Sequence, residues 1–163
     1  MAEQVIACQG MLARRPDDAA AWLALGDTYA DMAASIAERT FRPLSRTQQE
    51  TLGLLRSFVL QVVALLEEMA ADSYQQAVSF SGDGATARYR LASIHAAMGD
   101  YGQAARILET ISQPPLDRAG DPVPMASLWS QLAILKEKER HPFTFLDELR
   151  EKLIQAGQGQ ETD

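Results

Sequence analysis

The feature that most constrains the fold is a set of four residues with the spacing W-x2-L-G-x2-Y, formed by Trp22, Leu25, Gly26 and Tyr29. A residue without a side chain lets two helices approach closely, and neighbouring aromatic side chains fill the gap beside it. We therefore predict a helix that packs tightly against another helix at Gly26. Pro16 ends the preceding helix, and Asp18 can cap the beginning of the helix that contains Gly26.

Helical periodicity dominates the chain, and no stretch shows the alternation of a convincing β-strand. Predicted helices cover residues 3–14, 18–39, about 46–80, 85–98, 101–112, 123–140 and 142–155. The third is unusually long, because no proline follows Pro43 until Pro114 and no glycine lies between Gly53 and Gly82. The prediction is a single all-α domain over residues 1–156, with a disordered tail at 157–163.

The W-x2-L-G-x2-Y set resembles the first-helix signature of the tetratricopeptide repeat family, whose antiparallel helix pairs stack into a solenoid. A second match covers residues 85–118, and counting back from it gives a third, hidden match beginning at residue 51. The matching positions are Trp22, Leu25, Gly26, Tyr29, Ala70, Tyr74, Ala77, Leu91, Ala92, Gly99, Tyr101, Ala104 and Leu108. Gly99 is expected to end a helix in the left-handed conformation. The resemblance implies a tetratricopeptide-like solenoid of helical hairpins.

This solenoid is expected to be irregular, because the hairpin turn due near residues 64–68 is replaced by Ala-Leu-Leu-Glu-Glu, all good helix formers. The segment from Leu54 to Leu66 is apolar around nearly its whole circumference, so several surfaces must cover it. Those surfaces belong to the same chain, to a second copy in a homodimer formed through the long helix, or to an amphipathic partner.

Members of the family bind peptides in the concave groove formed by their first helices. The resemblance places the following partner-binding candidates there: Leu52, Leu55, Arg56, Val59, Val62, Val63, Tyr89 and Arg90. Further groove positions fall at Leu23, Asp27, Ala30, Asp31, Thr86, Ser93 and Ala97. The clustered lysine and asparagine that some members use to hold a terminal carboxylate are absent at these positions, so an amphipathic ligand fits better. Tyr89 and Arg90 can equally be solvated surface residues.

Composition narrows the possible partners and chemistry. The formal net charge of −7 disfavours nucleic-acid binding, because an acidic chain repels phosphate. Cys8 is the only cysteine, which excludes an internal disulfide and any multi-cysteine metal site. No metal, cofactor or acid–base pattern is found, so the chain is not expected to be an enzyme. No apolar run is long enough to insert into a membrane. A cytoplasmic protein is expected, and the excess of Arg over Lys without asparagine favours a bacterial source.

The functional prediction is a scaffold or adaptor that binds a segment of another protein through a largely apolar groove. One alternative is a small acidic secretion chaperone that holds a hydrophobic segment of an export substrate. Another is a structural subunit whose long helix makes an oligomer.

Overall fold

The computed structural model describes residues 1–40, 53–81 and 84–140, and these form six α-helices. They are α1 (Ala2–Arg14), α2 (Ala19–Thr40), α3 (Gly53–Phe80), α4 (Ala85–Ala97), α5 (Tyr101–Glu109) and α6 (Met125–Arg140). The only β-type pairing among these described residues is one isolated antiparallel bridge between Leu116 and Pro122. The predicted all-α class is confirmed.

Each helix packs mainly against its neighbours in sequence, from α1 against α2 through to α5 against α6. The most extensive of these contacts joins α2 and α3. These two helices are antiparallel: Leu23, near the start of α2, shares a pocket with Ala77, whereas Ala37, near its end, shares one with Glu67. The main helix contacts of the described chain therefore follow the order of the helices in the sequence.

Local sequence signals explain most of the helix ends. The Asp18 carboxylate accepts the backbone N–H of Ala21, and the Asp100 carboxylate accepts that of Gln103, so both act as N-terminal caps. Gly99 has φ +84°, the left-handed conformation expected for a glycine at a helix end. α5 ends at Glu109, earlier than predicted, because the backbone tightens at Thr110, whose N–H donates to the Ile107 carbonyl at 3.1 Å.

α3 is continuous for 28 residues, from Gly53 to Phe80, and passes through residues 64–68 without a turn. It is roughly 42 Å long at about 1.5 Å per residue. The predicted start of this helix at about 46, the helix at 142–155 and the tail at 157–163 lie outside the described residues. Among the residues that the structure describes, no helix combines the length and apolar character that crossing a membrane requires.

Two hydrophobic clusters form the core. The first joins α1, α2 and α3 and includes Leu25, Tyr29, Ala70 and Tyr74. The second joins α4, α5 and α6, where Ala92 packs with Ala104 and Leu108. α4 belongs to both clusters, because its Leu91 and Ile94 side chains pack into the first one while Ala92 packs into the second. α4 thus connects the two halves of the molecule.

Candidate functional site

The closest approach between α2 and α3 occurs at Gly26. A Cβ atom placed on this residue would lie 2.6 Å from both Cδ1 and Cε1 of the Tyr74 ring. Tyr74 is only 1% exposed, and the ring is enclosed by the first cluster. The glycine is therefore required at this position because the aromatic ring occupies the space that any side chain would need.

Tyr74 also connects the core to a group of charged residues. Its hydroxyl donates a hydrogen bond to Oδ1 of Asp27 at 2.8 Å. The same carboxylate oxygen lies 3.4 Å from Nε of Arg90 on α4 and 3.9 Å from Nε of Arg118 in the loop before α6. Arg118 also forms an ion pair with Asp31, one turn further along α2. We call Asp27, Asp31, Tyr74, Arg90 and Arg118 the Asp27 network.

The electrostatics of the Asp27 network follow from its burial. Burial, with a further contribution from the Asp27 carboxylate, raises the pKa of the Tyr74 phenol, so the hydroxyl stays protonated and acts as a donor. The Arg90 side chain is only 10% exposed, and Asp27 is the carboxylate paired with it among the described residues. Nε of Arg90 makes no hydrogen bond within that part of the chain. The charge of Arg90 is therefore held in place chiefly by Asp27.

The Asp27 network lies in the middle of a groove between α2 and α4, with α3 as its floor. On one side of the network is a pocket of about 340 Å³ near the beginnings of α2 and α4, with Leu23, Ala77 and Thr86 in its lining. On the other side is a pocket of about 240 Å³. We call the second pocket the alanine pocket, because Ala30, Ala33, Ala34, Ala37 and Ala97 line it.

The loop between α5 and α6 brings Arg118 to this groove. The backbone N–H of Leu116 donates to the Thr86 hydroxyl at 3.0 Å, which ties the loop to α4. The Asp117 carboxylate accepts the N–H groups of Ala119 and Asp121, and Gly120 adopts φ +89°. These bonds close a tight turn, and Arg118 extends from it towards α2. Arg118 also lines the alanine pocket.

Glu67 is the one acidic side chain among the described residues that line the alanine pocket. It lies on α3 and is half-buried, and burial raises the pKa of its carboxyl. No described cation lies within ion-pairing distance of it, unlike Asp27 and Asp31. An ionised carboxylate in this position lacks compensation within the described chain, and a cationic group brought into the pocket would supply it.

The predicted partner-binding residues do not all reach this groove. Arg90 lines the alanine pocket, together with the further predicted positions Ala30, Ser93 and Ala97. Arg90 is buried and paired, so the interpretation of it as a solvated residue is wrong. Tyr89 lines a different pocket, on the α6 side, where its hydroxyl accepts from the Gln131 side chain at 3.5 Å.

The three described positions predicted on α3 are not among the residues that line the α2–α4 groove. Val63 is buried in the first cluster, and Val59 and Val62 pack against it. Their contacts are with helices of the same chain. Leu52 and the side chains of Leu55 and Arg56 lie outside what the structure describes.

Sequence reasoning missed Glu67 and Arg118, although weak signals for Glu67 existed. Glu67 precedes Ala70 and Tyr74 by one and two helical turns, and the repeat register places those two residues at packing positions. Arg118 lies in a segment rich in proline and glycine, whose path depends on contacts that no periodicity reveals.

No protein-family model matches the chain, and no curated protein sequence matches it.

Proposed function

We propose that this chain is a tetratricopeptide-like interaction module that binds a basic, amphipathic segment of another protein in the groove between α2 and α4. The single observation that carries the proposal is the alanine pocket, which combines small apolar walls with the half-buried Glu67 carboxylate, for which no described residue supplies a paired cation. The family resemblance supports it, because the groove positions expected from the repeat register include Ala30, Ser93 and Ala97 in this pocket.

The walls of the alanine pocket favour binding of a helical or extended protein segment over binding of a small polar molecule. Alanine side chains let a second backbone approach closely, in the way that small residues do where helices cross. Ile94 adds apolar surface from α4, and Ser93 adds a polar edge. A segment with one apolar face would bury that face against the alanines and leave its polar face in solvent.

Charge selects a basic segment. The two arginines at the groove are neutralised by Asp27 and Asp31, so they offer little attraction to an acidic ligand. No cation among the described residues forms an ion pair with Glu67, and the whole chain carries a net charge of −7. A lysine or arginine of the partner would therefore meet both a specific carboxylate and an attractive overall field.

The chain is proposed to act as an adaptor in the bacterial cytoplasm, where a partner segment would be presented by a folded protein. A secretion chaperone would use the same groove for an unfolded export substrate. The identity of the bound segment separates the two roles.

The test is site-specific photocrosslinking in a lysate of the native host, with the crosslinking residue at Ala34 in the pocket. Ala34 is exposed and lines the groove, so it tolerates the change without disturbing the core. We expect one protein segment with an apolar face and at least one lysine or arginine to be captured. The matched control is Ala7, an exposed alanine on α1 that lines neither groove pocket.

The variant Ala34→Arg is expected to lower recovery of that segment at least about tenfold, because it fills the pocket and adds a like charge, a change of about 1.4 kcal/mol. Ala7→Arg should leave recovery unchanged. The proposal fails if the same segments crosslink at both positions, or if Ala34→Arg retains full capture while its helical circular dichroism spectrum is intact.

A further inference from the structure

Arg118 reaches the α2–α4 groove from the loop between α5 and α6 rather than from one of the helices that form the groove. Its guanidinium pairs with Asp31 on α2, and its side chain lines the alanine pocket. Asp31 directly follows Ala30 and precedes Ala34 by one turn, and both alanines line the same pocket. The ion pair between Arg118 and Asp31 therefore lies at the edge of the alanine pocket, next to the place proposed for a bound segment.

This ion pair can open without disturbing the fold around it. The Arg118 and Asp31 side chains are 47% and 50% exposed, and pairs so accessible to water are weak. The turn that carries the guanidinium is held by other hydrogen bonds, from the Leu116 N–H to the Thr86 hydroxyl and from backbone N–H groups to the Asp117 carboxylate. The guanidinium can therefore leave Asp31 while the turn stays in place.

The two carboxylates on α2 depend on Arg118 to different degrees. Oδ1 of Asp27 accepts the Tyr74 hydroxyl at 2.8 Å and lies 3.4 Å from Nε of the buried Arg90. Nε of Arg118 is further from this oxygen, at 3.9 Å. Asp31 differs, because Arg118 is the one cation paired with it among the described residues. Departure of Arg118 would therefore leave Asp27 compensated and the Asp31 carboxylate open to another cation.

Asp31 and Glu67 are close together along the direction of the groove. α2 and α3 are antiparallel, and Gly26 of α2 meets the Tyr74 ring of α3. Asp31 follows Gly26 by five residues, and Glu67 precedes Tyr74 by seven. At about 1.5 Å per residue, the two carboxylates are separated along the groove by about one helical turn or less. Two basic side chains three or four residues apart on one face of a bound helix match this separation.

We propose that Arg118 is an internal competitor for the groove, and that the partner segment carries a second basic residue which replaces Arg118 at Asp31. This inference rests on the proposed binding of a basic segment beside Glu67. A lysine or arginine of the segment forms again the ion pair that the loop gives up, and the departing Arg118 opens the edge of the alanine pocket. A segment with one basic residue leaves Arg118 in place. The Asp31 carboxylate thus favours segments with two correctly spaced basic residues.

The experiment measures the binding of three amphipathic helical peptides of alanine and leucine to the full-length chain by isothermal titration calorimetry. One peptide has a single central lysine, one has two lysines four residues apart, and one has two lysines two residues apart, on different faces of the helix. Arg118→Gln should strengthen binding of the four-residue spacing about threefold to fivefold, because the second lysine no longer competes with Arg118 for Asp31. Binding of the other two peptides should stay unchanged.

Arg106→Gln is the matched control, because it changes the net charge equally at an exposed residue of α5 that lines neither groove pocket. This variant should bind all three peptides as the wild-type chain does. Asp31→Asn combined with Arg118→Gln should abolish the gain, since the second lysine then meets no carboxylate. Thermal unfolding of each variant checks that the fold is intact.

Two results overturn the inference and leave the proposed function standing. One is an affinity for the four-residue spacing that Arg118→Gln does not change. The other is equal strengthening by Arg118→Gln and Arg106→Gln, or equal strengthening for both spacings, which would be an effect of net charge alone. A wild-type chain that fails to bind the single-lysine peptide contradicts the proposed function itself, and the inference with it.

Discussion

Gly26→Leu should lower the free energy of unfolding by about 3 kcal/mol, because its side chain must enter space that the Tyr74 ring already fills. Tyr74 is almost completely buried and its hydroxyl is bound to Asp27, so the ring has little room to move aside. For a chain of this length the melting temperature should fall by roughly 6–12 °C. Chemical denaturation followed by circular dichroism measures the change.

Gly10→Ala is the control for the Gly26 prediction. Gly10 is also a helical glycine, but a Cβ at this position would meet nothing within 4 Å. Replacement by alanine should therefore stabilise the protein by about 0.5–1 kcal/mol through helix propensity alone. An unchanged denaturation midpoint for Gly26→Leu would contradict the proposed contact with Tyr74.

Asp27→Ala is the second substitution expected to have a large effect, lowering the free energy of unfolding by about 3 kcal/mol. It removes the acceptor of the buried Tyr74 hydroxyl and the carboxylate beside the buried Arg90 guanidinium. Two buried polar groups are then left without compensation. Asp27→Asn should have a smaller effect, because its side-chain oxygen can still accept from Tyr74.

Asp31→Ala separates this effect from that of a surface ion pair. Asp31 lies one turn after Asp27 on α2 and pairs with Arg118, but both side chains of this pair are about half exposed. The loss should be about 0.5 kcal/mol or less, as for other solvent-exposed pairs. Equal destabilisation by Asp27→Ala and Asp31→Ala, measured by urea denaturation, would mean that burial of Arg90 and Tyr74 does not set the energetics of the Asp27 network.

The sequence was informative where a residue's role depends on its own helix. The close approach at Gly26, the cap at Asp18 and the left-handed Gly99 follow from local rules, and the structure has all three. Local rules do not identify the partner of Gly26, although the repeat register places Tyr74 at a packing position. Pairing a glycine with one particular ring requires the relative position of two helices, which local periodicity does not contain.

The orientation of α3 could not be predicted for a related reason. Its first half is apolar on all sides, so the sequence pattern does not distinguish the face towards α2 from the face towards solvent. The repeat register places Val63 in the groove, but Val63 is buried, whereas Phe58 and Leu65 of the same apolar run are exposed. The place of Arg118 in the groove could not be predicted either, because it depends on the hydrogen bond from the Leu116 backbone to the Thr86 hydroxyl.

The central claim is that Glu67 selects a basic residue of a segment bound in the α2–α4 groove, and a charge exchange tests it most directly. The probes are two synthetic amphipathic helical peptides of alanine and leucine that differ only in a central lysine or glutamate. Isothermal titration calorimetry should give about tenfold tighter binding of the lysine peptide to the wild-type chain, and Glu67→Lys should reverse the preference. Glu68→Lys, on an exposed neighbour that does not line the alanine pocket, should leave it unchanged. A lysine preference that persists in Glu67→Lys would contradict the claim.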